Sequence, residues 1–110
     1  MRFKLTDTDQ YPLQVENAPE RFWHLATIHY GAREFIFYAD IFANSANITS
    51  PPIKYYVEEI TGGHLEVIRD NELWQALCDF LVDKGLNSDK MLHFLNSHRT
   101  RIINSWRRKK

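Results

Sequence analysis

The chain has 110 residues, 44% of them hydrophobic and 25% charged, which excludes intrinsic disorder and suits a single domain spanning 1–110. One cysteine, Cys78, excludes an intramolecular disulfide framework or a multi-cysteine zinc site. The net charge of zero hides a strong asymmetry: residues 1–89 hold all 14 acidic side chains and seven basic ones (7 − 14 = −7), whereas Lys90–Lys110 holds seven basic ones and no acid (+7).

No apolar run approaches the roughly 18 residues of a membrane span. The opening MRFKLTDTDQ lacks the hydrophobic core of a signal peptide, so a soluble, cytoplasmic protein is expected. Within 1–20, Arg2–Thr6 alternates like a short strand, and the following DTDQYPLQVENAPE, with Pro12 and Pro19, reads as irregular chain.

From Arg21 the pattern sharpens. Phe22–Tyr30 and Glu34–Phe42 are rich in aromatic and β-branched residues and flank Gly31-Ala32, a two-residue type II′ turn signal. The implied register sets Ile28 opposite Phe35, Ala26 opposite Phe37 and His24 opposite Ala39 on one apolar face. His29 opposite Glu34 and Thr27 opposite Ile36 then share the other. A connection, ANSANITSPP, leads to a second hairpin, with Ile53–Thr61 and His64–Arg69 around Gly62-Gly63. A three-residue loop would place Val57 beside Val67, and a two-residue loop would place it beside Ile68.

Beyond Arg69 the apolar period lengthens from two to 3.6. Asp70-Asn71 offers an N-cap, Leu73, Trp74, Leu77, Phe80 and Leu81 recur at helical spacing, and Gly85 suits the position after the C-cap. Ser88 and Asp89 can start a second helix, whose stripe of Met91, Leu92, Leu95, Ile102, Ile103 and Trp106 runs to about Arg107. The expected architecture is α+β: an antiparallel meander of four, at most five, strands in 21–69 and the N-terminal segment, followed over 70–108 by two helices on one face.

The basic second helix carries the main functional expectation. Arg101, Arg107, Arg108, Lys109 and Lys110, interleaved with Thr100 and Asn104, have the chemistry to track a phosphate backbone. The chain is expected to be a small non-enzymatic protein that binds nucleic acid, or a protein bound to it, without cofactor or metal. The alternative is an inhibitor or adaptor that uses its acidic body or an aromatic sheet face to block a basic site. That face would present Trp23, Leu25, Ile36 and Tyr38 to a protein partner or a second copy, unless Phe3, Leu5, Tyr11, Leu13 and Val15 cover it.

Signals for catalysis are weak. Glu58, Glu59 and Glu66 fall on adjoining strands and read as a solvated acidic face. His24 and His29, five apart on a strand, would point to opposite faces, and His93 and His98 would diverge on a helix. Cys78 sits among Leu77, Phe80 and Leu81 as a small buried hydrophobe. No phosphate-binding loop, dinucleotide fingerprint or nucleophile elbow is present.

Overall fold

The structure, a computed structural model, describes residues 2–16, 21–41, 53–86, 94–95 and 101–105, with backbone alone at 94–95 and 104–105. Its chain order is β1 (Lys4–Asp7), β2 (Tyr11–Pro12), β3 (Gln14–Val15), β4 (Phe22–Tyr30), β5 (Arg33–Asp40), β6 (Lys54–Thr61), β7 (His64–Glu66), α1 (Asn71–Asp83), β8 (Phe94–Leu95) and β9 (Arg101–Ser105).

Both turn signals act as the sequence implies. Tyr30 pairs with Arg33 across Gly31, whose φ is +60°, and Thr61 pairs with His64 across Gly62 and Gly63, at +54° and +81°. Two consecutive positive φ values are what a type I′ hairpin turn requires, which selects the two-residue loop for the second hairpin. The first hairpin keeps the expected pairs Ile28–Phe35, Ala26–Phe37, Thr27–Ile36 and His29–Glu34.

The expected His24–Ala39 pair does not form. A bulge between His24 and Ala26 moves the register by one residue, so His24 meets Tyr38 and Trp23 meets Ala39. Because strand side chains alternate, this single insertion exchanges the faces of everything before it. His24 and His29 consequently share a face.

The sheet then extends beyond the expected meander. Its order is β1-β4-β5-β6-β7-β9-β3, with β2 also pairing β4 and β8 lying parallel to the first half of β6. Only Leu13 separates β2 from β3, and its N–H donates to Phe22 O at 2.9 Å. Since β2 is bonded to β4 and β3 to β9, the hydrogen-bonded circuit closes into a small barrel. The Tyr11–Val15 stretch read as irregular is therefore the closing seam.

The second helix is overturned. Phe94–Leu95 and Arg101–Ser105 are strands, so a helix cannot run from Ser88 to Arg107, and among the described residues α1 is the single helix. Arg101-Ile102-Ile103 alternates as well as it repeats helically: Ile103 is buried and Ile102 is 45% exposed. The architecture is a mostly antiparallel closed sheet with one helix, in place of a four-stranded sheet with two.

Helix α1 begins and ends as read. Asp70 accepts from the N–H groups of Glu72 and Leu73, at 3.0 and 3.2 Å. At the other end Gly85 (φ +70°) donates to Val82 O at 3.0 Å and Leu86 donates to Leu81 O at 3.2 Å, the paired bonds of a Schellman motif. The helix lays Leu73, Leu77, Cys78 and Leu81 on the outer face of the sheet, against Ala26, Ile28, Phe35, Phe37 and Val57. The inner face holds a second cluster of Tyr11, Leu13, Val15, Phe22, Ile36, Tyr38, Ile60, Leu65 and Ile103. Both faces are filled by the chain itself. Among the described residues no helix is long and apolar enough to cross a membrane.

Candidate functional site

Strand β6 carries the sequence YYVEEIT, and its alternation sends Tyr56, Glu58 and Ile60 inward and Tyr55, Val57 and Glu59 outward. Glu58 thus enters the barrel with no exposed surface. An isolated carboxylate there would be very costly, so it must be paired. Tyr38, opposite Tyr56 on β5, donates its hydroxyl to Glu58 Oε1. Arg101, at the start of β9, donates from Nη1 to the same oxygen at 3.0 Å and also reaches the Tyr38 hydroxyl.

The Arg101 guanidinium is enclosed by aromatic rings. Its central carbon lies 4.8 Å from the Phe22 ring centroid, 5.0 Å from Tyr56 and 5.8 Å from Tyr38. These rings support one another: Tyr38 stacks on Tyr56 at 5.5 Å, and Phe22 meets Tyr38 nearly edge-on at 5.6 Å. A planar cation over π faces gains electrostatic attraction that desolvation strengthens. Burial first, then the Glu58 charge, holds the Tyr38 phenol well above its ordinary range, while Arg101 opposes them. Burial also raises the Tyr56 phenol. Tyr38 therefore stays a protonated donor at neutral pH.

A second polar group lies along β4. His24 is fully buried and stacks on Tyr11 with ring centroids 4.3 Å apart. One ring nitrogen is 2.6 Å from Asp9 O and the other 2.7 Å from Thr27 Oγ1. With the carbonyl able only to accept, Nδ1 carries the proton and Nε2 accepts from the threonine hydroxyl. Burial is the largest influence on this imidazole and lowers its pKa, so His24 is neutral in this network. Asp7 supports the same segment by accepting from Asp9 N–H at 2.8 Å and from the Tyr11 hydroxyl at 3.0 Å.

Of the residues expected to contact phosphate, Arg101 is turned inward, with 17% of its side chain exposed and its charge opposed by Glu58. It belongs to the barrel rather than to a basic surface. Asn104 lies in β9, and Thr100, Arg107, Arg108, Lys109 and Lys110 fall outside the described residues. The expected interface face is divided. Ile36 and Tyr38 are fully buried inside the barrel, beneath Tyr11, Leu13 and Val15, whereas the bulge places Trp23 on the outer side and Leu25 against the cluster under α1.

The acidic triplet is divided too. Glu59 pairs with Glu66 across the hairpin, and Arg33 binds Glu59 through two bonds of 2.8 and 2.9 Å. Only that outer pair belongs to the expected acidic face, because Glu58 points the other way. Among the described residues no three His, Cys, Asp or Glu side chains are grouped to hold a metal ion. Burial, together with Asp79, pushes the Cys78 thiol up to about 12, which leaves it protonated at neutral pH.

The Glu58–Arg101 pair is not expected from the sequence pattern. A signal was present: Glu58 lies two residues from both Tyr56 and Ile60, on the apolar side of an alternating strand. The partner, 43 residues further on, had no local signal. No family model, curated protein or solved structure matches the chain.

Proposed function

We propose that this chain is a small non-enzymatic binding protein that engages nucleic acid, or a protein carried on nucleic acid, through the basic stretch Lys90–Lys110. The observation that carries this reading is the charge segregation, with seven cations and no acid in that stretch and an acidic balance before it. Phosphate contacts by Lys and Arg supply most of the affinity of such binding, and an acidic body repels phosphate elsewhere. The stretch is joined to the barrel by β9, whose Arg101 is engaged by Glu58. The contacts are therefore assigned to the other basic residues, foremost Arg107, Arg108, Lys109 and Lys110, which follow β9 after Trp106 in sequence.

The test is the salt dependence of binding to single- and double-stranded DNA and RNA. Four phosphate contacts give a log–log slope of about −3 to −4 on duplex. Replacing Arg107, Arg108, Lys109 and Lys110 with Gln should remove most of that slope and leave the melting temperature unchanged. A wild-type chain with no affinity for any of these polymers at about 50 mM salt ends the direct-binding reading. Capture of a protein partner that survives nuclease treatment would favour the inhibitor or adaptor alternative instead.

A further inference from the structure

Among the described residues, the aromatic and acidic groups around Arg101 come from three consecutive strands: Phe22 from β4, Tyr38 from β5, and Tyr56 and Glu58 from β6. None belongs to β9. The pocket is thus assembled by the strongest part of the sheet, where eight residue pairs join β4 to β5 and seven join β5 to β6. Its chemistry suits one kind of group. Three ring faces accept a flat delocalised cation, and a buried carboxylate accepts its N–H donors. An ammonium lacks the planar form that lies against the rings.

The strand that carries Arg101 is joined to the sheet at fewer positions among the described residues. Strand β9 pairs with β7 at two positions, His64–Ile102 and Leu65–Arg101, and with β3 at two, Gln14–Ser105 and Val15–Ile103. Bonds from Ile103 N to Gly63 O, 2.8 Å, and from Glu16 N to Ile102 O, 2.9 Å, accompany them. Of its three described side chains, Arg101 and Ile103 enter the barrel and Ile102 stays exposed. Among the described side chains of this short strand, the buried pattern is one arginine and one aliphatic residue two positions later, which another chain can reproduce.

We propose that the Phe22–Tyr38–Tyr56–Glu58 pocket is an arginine-binding site, occupied by Arg101 as a ligand from the same chain, and that it accepts an extended Arg-x-Ile-type segment of a protein partner in place of β9. Main-chain bonds to β7 and β3 would supply affinity, and the guanidinium pocket would supply specificity, as in other strand-addition recognition. This site is independent of the nucleic-acid reading, because Arg101 takes no part in the contacts assigned there.

The experiment uses full-length Arg101→Ala, melted alone and with ethylguanidinium or ethylammonium. Ethylguanidinium at about ten times its dissociation constant should raise the melting temperature by roughly 5 °C, and ethylammonium should have no effect. If the variant does not fold alone, the reading becomes recovery of its near-ultraviolet circular dichroism, expected with ethylguanidinium only. Adding Glu58→Gln should abolish either response. A labelled peptide of residues 99–105, RTRIINS, should bind Arg101→Ala at least tenfold more tightly than its Arg101→Lys counterpart does. It should bind the wild-type chain more weakly than the variant, since the resident arginine competes at high effective concentration. Equal responses to the two cations, no response to either, indifference of the peptide to Arg101→Lys, or equally tight binding to wild type would each overturn the proposal.

Discussion

The two faces of the sheet are both buried, yet they are built on opposite principles. Outside, α1 closes an almost wholly apolar layer in which Ile28, Phe35, Phe37 and Val57 meet Leu73, Leu77 and Leu81. Inside, the barrel combines aromatic and aliphatic groups with a buried carboxylate, a guanidinium and an imidazole. The outer layer tolerates approximate fit, because dispersion and the hydrophobic effect have little directionality. The inner layer depends on specific partners, because each buried polar atom left alone costs the desolvation of that group. It also binds together segments that are distant in sequence: residues 9–27, 38–58 and 101–103 all meet there.

The sharpest way to break this contrast is to remove one member of the inner pair. Arg101→Ala removes the guanidinium that Glu58 engages inside the barrel and should cost about 3–5 kcal/mol, read by chemical denaturation. Arg101→Met combined with Glu58→Leu should recover most of that loss, since apolar replacement of a buried ion pair is often neutral. A double-mutant cycle with no coupling would show that the pair contributes nothing as a pair.

The outer layer should respond differently. Leu77→Ala opens a cavity beneath α1 and should cost about 2–5 kcal/mol, whereas Leu77→Met should cost under about 1.5. Cys78 reports the same layer directly: its thiol should resist alkylation at pH 8 in the wild type and react faster in Leu77→Ala as α1 opens. Equal labelling rates would separate α1 opening from the loss of that core contact. At the edge of this layer, Asp70→Ala removes the acceptor of two helix N–H groups and should cost about 1 kcal/mol in thermal unfolding.

The smallest effect sharpens the inner region again. The folded chain holds the His24 pKa below its ordinary value of 6.5, so in the window beneath that value the unfolded chain binds more protons at this site. This contribution is fully present above 6.5 and is lost as pH falls toward the lowered folded value. His24→Gln should therefore flatten the fall of melting temperature between pH 7 and pH 5 relative to wild type. A slope unchanged by the substitution would assign the pH response to other groups.

The apolar outer layer was legible because it is written locally. Two hairpins announced by glycine turns, the alternation of Ile28, Phe35 and Phe37, and the helical stripe of α1 with its Asp70 cap all lie within short stretches of chain. The bulge after His24 was not legible, since its flanking residues alternate normally, and it changed which of Trp23, His24 and Leu25 face inward. Residues 101–105 misled for a related reason. Ile102 and Ile103 fit a helical stripe together with Trp106, and also fit a strand that buries only every second residue.

From its sequence this protein determines the turns, the amphipathic helix, the apolar strand faces and a charge distribution divided near Lys90, all of which follow from residues a few positions apart. Tertiary structure alone decided that Tyr11–Val15 and Arg101–Ser105 close the sheet, and that Arg101 turns from a surface cation into the partner of Glu58. The physical reason is that a buried carboxylate on β6 must find a donor, and the barrel brings one from 43 residues away. No local propensity encodes that meeting.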